Sequence, residues 1–170
     1  EESDAEVVLE VAHADLAAQA GEVQARVESL SALDHPGVAR VRECRHEDGL
    51  LFVVHDACPG TPLDELLRES GPFSAERSVL LILQAGEALA AAHARGLVHQ
   101  QLTPGCLFVD EQDNVRVADF SLTSPADAIG AEVVPLTLTS VKYASPEIAA
   151  GKPQEERSDL YSLALILYEA

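Results

Sequence analysis

The chain has 170 residues, 47 % of them apolar, with 29 acidic against 11 basic residues and a formal net charge of −18. That length and apolar content suit one globular domain with a sizeable core and exclude a disordered chain. So acidic a surface repels phosphate backbones and anionic lipid, which argues against direct nucleic-acid binding.

Glu6 to Val11 is β-branched and apolar over a strand's length. Ala14 to Leu33 is rich in Ala, Glu, Gln and Leu, and Val23, Val27, Leu30 and Leu33 recur at helical spacing, which predicts a helix with one buried face. Asp34-His35-Pro36-Gly37 ends it, because proline disfavours helical geometry in the residue before it. Two strands follow, Val38 to Cys44 and Leu50 to His55, joined by the polar turn His46-Glu47-Asp48-Gly49. Pro59-Gly60 breaks the chain ahead of a mostly helical part. Leu63 to Glu69 is a short helix, and Ser74 caps a long one running to about Arg95, with Val79, Leu83, Ala90 and His93 assigned to its inner face. Gly96 stops that helix. Short strands Leu107 to Val109 and Val115 to Ala118 flank the turn Asp110 to Asn114. A long loop from Ser121 to Tyr143 leads to Pro146 and a closing helix from Asp159 onward. This order is an α+β plan in two lobes, and no internal repeat is present.

Cys44, Cys58 and Cys106 are irregularly spaced, with no Cys-x-x-Cys pair and no His/Cys cluster, so reduced thiols are expected rather than zinc or disulfides. No run reaches the ~18 apolar residues of a membrane span. The expected location is the cytoplasm, or the cytoplasmic side of a membrane protein anchored through segments outside this stretch. The acidity reads either as a solubility device or as a face for a basic partner.

The run His99-Gln100-Gln101-Leu102-Thr103-Pro104-Gly105-Cys106-Leu107-Phe108 is followed in order by Asp119-Phe120-Ser121, Ser145-Pro146-Glu147 and Ser158-Asp159-Leu160-Tyr161-Ser162-Leu163. These motifs resemble the catalytic loop, the Asp-Phe-Gly motif, the Ala-Pro-Glu motif and the following helix of protein kinases. The phrase Ala90 to His99 (AAAHARGLVH) is similar to bacterial Ser/Thr kinases. The resemblance implies a two-lobed protein-kinase fold truncated at both ends, with no Gly-rich loop before Glu6 and the chain stopping in the helix after the activation segment. Residues 1–58 would be the small-lobe part and 59–170 the large-lobe part.

The letters that carry chemistry depart from the family pattern. The loop Asp that accepts the substrate hydroxyl's proton is replaced by Gln101, which has no basic lone pair of useful pKa. Loss of a positioned general base costs ~10²–10⁴ in rate. The loop Lys becomes Thr103, and the Mg²⁺-holding Asn becomes Cys106, which offers sulfur to a hard cation. Laying Val7-Val8-Leu9-Glu10 on the strand that carries the nucleotide-gripping Lys puts Glu10 at that position, and counting back from His35-Pro36 puts Arg26 at the partner helix Glu. The two are either a charge-swapped clamp or two solvated charges; as a clamp, Glu10 would point a carboxylate at nucleotide phosphates. Asp119 alone keeps the Mg²⁺-ligand type. It reads either as residual metal–nucleotide binding or as a cap on neighbouring backbone.

What the resemblance keeps is structural. His99, Phe120, Leu30 and Val41 match the stacked side chains that join the lobes, and Asp159 matches the acid that anchors the catalytic loop. Val8 and Phe108 match positions above and below an adenine ring, Asp56-Ala57-Cys58 the hinge, and His55 the pocket mouth. Thr123, Ser124, Thr137, Thr139 and Ser140 are either ordinary loop residues or phosphoacceptors, of which Thr137, Thr139 and Ser140 lie nearest the Ser145-Pro146-Glu147 motif. The expected function is that of a catalytically impaired kinase-like domain, a pseudokinase, that binds or regulates a protein partner: a kinase, its substrate or a phosphopeptide-binding domain. ATP with Mg²⁺ is expected to bind weakly or not at all. An active or weakly active Ser/Thr kinase and a nucleotide sensor without phosphotransfer stand as the alternatives.

Overall fold

The computed structural model describes residues 6–12, 20–47, 50–120 and 141–170. Its first part is an antiparallel sheet of β1 (Val7–Ala12), β2 (Val41–Glu47) and β3 (Leu50–Asp56) in the order β1-β3-β2. Helix α1 (Ala20–Ser31) packs on β2. The second part holds β4 (Thr61–Pro62), α2 (Leu63–Ser70), α3 (Ala75–His93), β5 (Leu107–Val109), β6 (Val115–Val117), α4 (Pro146–Ala149) and α5 (Glu156–Glu169). Strands β4, β5 and β6 form a second antiparallel sheet in that order. The predicted α+β plan is therefore the observed one.

The predicted apolar stripe of α1 is buried as expected: Val23, Val27 and Leu30 in the helix, and Leu33 just beyond it, enter the core cluster. Of the predicted helix Ala14 to Leu33, the stretch 13–19 lies outside the described residues. Three connections tie α1 and its exit to the second part. Arg26 Nη2 donates to the Val98 carbonyl at 2.5 Å, Arg95 Nη1 donates to the Ala32 carbonyl at 2.9 Å, and Val38 bridges Val117. Val38 is thus not the start of a strand; its bridge goes to the other sheet, and β2 starts at Val41 and runs on through His46 and Glu47, which had been assigned to the turn. At Gly60, φ is +99° and a Cβ would stand 2.2 Å from the Val109 carbonyl oxygen, so only glycine fits this approach to β5.

Helix α3 differs from its prediction in phase. Ser74 caps it as expected, accepting from the Arg77 amide at 3.3 Å. Val79 and Leu83, assigned to the inner face, are 45 % and 59 % exposed, and Ala90 is exposed too. The buried face is Ser78, Leu81, Ile82, Ala85, Ala88, Leu89 and Ala92. The run Val79 to Leu83 is apolar at every position and cannot set a phase by itself. The helix packs on α5 and β6, and the small residues Ala85, Ala88 and Ala92 are fully buried on its inner face. Of the predicted face, His93 is correctly placed, with 8 % of its side chain exposed. The closing helix starts earlier than Asp159. Glu155 and Ser158 form a capping box, with the Glu155 amide donating to Ser158 Oγ at 3.3 Å, which begins α5 at Glu156.

Among the described residues no helix is long and apolar enough to cross a membrane. Truncation tests the phase of α3 directly. Leu89→Ala is expected to cost about 2–5 kcal/mol in urea denaturation, whereas Leu83→Ala should stay within ~0.5 kcal/mol of the parent. Equal costs would place the buried face elsewhere.

Candidate functional site

The site is assembled around one carboxylate. The capping box leaves Asp159 in the first turn of α5, 1 % exposed, where the helix N-terminus favours negative charge. Its Oδ2 accepts the His99 amide at 2.7 Å and its Oδ1 accepts the Gln100 amide at 2.9 Å. His93, in the last turn of α3, adds its Nε2 at 2.7 Å. An ionised carboxylate only accepts, so the proton of this bond is on His93. Asp159 therefore anchors the loop as the resemblance implied. The role of His93 was not foreseen, since one histidine on an apolar helix face carries no sequence signal of its target.

Held in this way, the loop keeps an uncommon backbone. Gln100 has φ +74° and Asp119 has φ +60°, both in the left-handed region that non-glycine residues seldom adopt. Such residues cost about 1–3 kcal/mol each and persist where surrounding bonds impose them. The His99 ring lies 4.7 Å from the Phe120 ring, and its Nε2 donates to the Ala118 carbonyl at 2.8 Å. Leu30, Val41, His99 and Phe120 are all buried, with α1, β2 and both segments of the site contributing.

The residues with chemistry are placed less conventionally. Gln101 is exposed and Thr103 half-buried. Cys106 is buried; its thiol lies 3.6 Å from the Gln101 carbonyl and 3.4 Å from Thr103 Oγ1. The sulfur thus faces the loop's own oxygens. Among the described residues, no three His, Cys, Asp or Glu side chains stand together as a metal site.

On the nucleotide side, Val8 of β1 pairs in register with His55 of β3 and is about half exposed. Phe108 of β5 is half-buried opposite Arg116 and Pro62. Asp56 accepts from Arg42 Nε, an exposed pair on the first sheet. Cys58 is half-buried, and desolvation pushes its thiol up to about 11. Glu10 lies opposite Val53 in β1, with its side chain outside the described residues. Arg26 donates to the carbonyl of Val98, the residue before His99; burial lowers its pKa, and Asp159 opposes that shift. Thr123, Ser124, Thr137, Thr139 and Ser140 also lie outside the described residues. A cavity of about 600 Å³ between Pro59, Leu66, Arg77, Val109 and Asp113 contains none of the predicted site residues.

A buried acid at the start of one helix holding a histidine loop, with an Asp-Phe pair stacked against that histidine, is the frame of a kinase domain. Residues 6–170 match the family model of the protein kinase domain, and the chain belongs to that family. It is similar to the serine/threonine-protein kinase PknA of Mycobacterium tuberculosis, 30 % identical over 152 residues, covering 86 % of this chain and 35 % of the relative. PrkC of Bacillus subtilis is 30 % identical over 84 % of this chain and 22 % of the relative. PkaA of Streptomyces coelicolor is 35 % identical over 82 % of this chain and 26 % of the relative. The chain thus spans between about a fifth and a third of the length of these curated relatives.

Removing the anchor leaves the amides of His99 and Gln100 and the imidazole of His93 buried without their acceptor. Asp159→Ala is expected to cost at least ~3 kcal/mol in urea denaturation, and Asp159→Asn less, because one oxygen can still accept. A loss below ~1 kcal/mol for Asp159→Ala would mean that the loop is held by other contacts.

Proposed function

We propose that this chain is a kinase-fold domain that does not transfer phosphate and works by binding a protein partner. One observation carries the reading. The catalytic loop keeps its anchor on Asp159 and its left-handed Gln100, yet it presents an amide, a hydroxyl and a thiol at Gln101, Thr103 and Cys106. A working loop needs a base, a cation and an oxygen ligand at those places. The donors present suit Mg²⁺ poorly, because Cys106 supplies sulfur where the family pattern has an oxygen ligand. ATP binding is accordingly weak or absent in this reading. The partner is a kinase, a kinase substrate or a phosphopeptide-binding domain, met in the cytoplasm or at its membrane face. Phosphorylation at Thr137, Thr139 or Ser140 by another kinase would add ~−1.5 to −2 charge each and switch such binding. The relatives bear the name of Ser/Thr kinases, so an active enzyme with an unusual residue set is the competing outcome.

A second reading rests on Asp119. Its φ of +60° beside the buried Phe120 preserves the one surviving metal-ligand type in an imposed conformation, which favours a nucleotide sensor without phosphotransfer.

Incubation of protein carrying the whole kinase domain with Mg²⁺ and labelled ATP is expected to give no phosphotransfer above background. Transfer that disappears in Asp119→Ala would overturn the proposal. Thermal shift with millimolar ATP separates the two readings: a Mg²⁺-dependent rise that Asp119→Ala abolishes identifies the sensor, and no shift removes it.

A further inference from the structure

Arg26 stands on the inner stripe of α1, where Val23, Val27 and Leu30 are buried. A half-buried guanidinium there has to find oxygen, because a charge taken from water without a partner is costly. Its Nη2 donates to the Val98 carbonyl at 2.5 Å. The other end of the same peptide unit, the His99 N–H, donates to Asp159 Oδ2 at 2.7 Å. This peptide is trans, so its C=O and N–H point in opposite directions. One peptide plane therefore has a cation at its oxygen and a buried carboxylate at its hydrogen.

We propose that the Val98–His99 peptide is a relay that couples the position of α1 to the anchoring of the loop on Asp159, with Arg26 as its positioning residue. The coupling holds whether or not the chain transfers phosphate. A peptide unit carries a dipole of about 3.5 D, and here its negative end meets the guanidinium and its positive end the carboxylate. Hydrogen bonds in such a chain polarise one another, so each is strengthened by the other. Arg26 and Asp159 also attract through space: burial lowers the Arg26 pKa, and Asp159 opposes that shift. A guanidinium keeps its charge in proteins, so the cation end is permanent.

The relay acts on a strained segment. Asp159 also accepts the Gln100 amide at 2.9 Å, and Gln100 is held at φ +74°. Moving α1 away takes the cation from the Val98 carbonyl and weakens the His99 bond at the far end. The strain at Gln100 then favours relaxation of the loop. By linkage, a partner that draws α1 outward loosens the loop, and one that grips the anchored loop holds α1 in place. Arg95 also ties the exit of α1 to the second part, donating to the Ala32 carbonyl at 2.9 Å, but that bond is to a different peptide.

The test is amide hydrogen exchange read residue by residue on protein carrying the whole kinase domain, in Arg26→Met and in the control Arg95→Met. Arg26→Met is expected to speed exchange of the His99 and Gln100 amides at least about tenfold, through loss of one charge-assisted bond. Arg95→Met cuts a bond of the same kind and should leave those amides within about twofold of the parent. Arg26→Lys restores the charge but not the fork, and should fall between the parent and Arg26→Met. In urea denaturation, Arg26→Met and Asp159→Asn should be non-additive, the double variant losing less than the sum of the singles. Equal acceleration by Arg26→Met and Arg95→Met would overturn the proposal, and so would additive losses in the cycle. If Arg26→Met does not fold, Arg26→Lys is compared with Arg95→Lys, and equal rates there overturn it too.

Discussion

The structure depends on the burial of one carboxylate. Taking Asp159 out of water costs several kcal/mol, and the fold recovers that cost only by bringing three donors to it. Those donors come from α3 and from the loop after it, so the acid can be satisfied only when α5, α3 and the loop are assembled together. Charge-assisted bonds contribute about 1.5–3 kcal/mol each, enough to impose a left-handed Gln100 that the chain would not adopt alone. From His99 the constraint passes to Phe120 by ring contact, and Phe120 shares one buried core cluster with Leu30 and Val41 of the first part.

This explains which residues of the kinase-domain frame are the hardest to replace. Groups that bury or anchor are coupled to many neighbours, and each replacement leaves an unsatisfied partner. Gln101 is exposed, and its change strands no buried neighbour that the structure reveals. Cys106 is the exception among the replaced groups, because it is buried and its sulfur is engaged. Its sulfur is turned toward the loop's own oxygens, Thr103 Oγ1 and the Gln101 carbonyl.

Much of the fold was legible because its signals are local and periodic. The stripe Val23, Val27, Leu30 and Leu33, the cap at Ser74 and the breaks at Pro59-Gly60 and Gly96 each state their geometry within a few residues. The phase of α3 was not legible, since an unbroken apolar run fits any face and the decision belongs to what packs on the small alanines. Val38 was likewise read as a strand because its letters suit one, yet its bridge goes to Val117 in the other sheet.

The motif order from His99 through Asp159 determined the family from sequence alone. Residue identity suffices there, since the letters and their order are the same in any conformation. Only the tertiary structure decided which atoms the survivors meet. It brought His93 to Asp159, sent Arg26 to the Val98 carbonyl, and set the His99 imidazole on the Ala118 carbonyl. Those partners are separated by up to 72 positions along the chain, and hydrogen bonds reach about 3 Å, so no spacing rule within a motif could have named them.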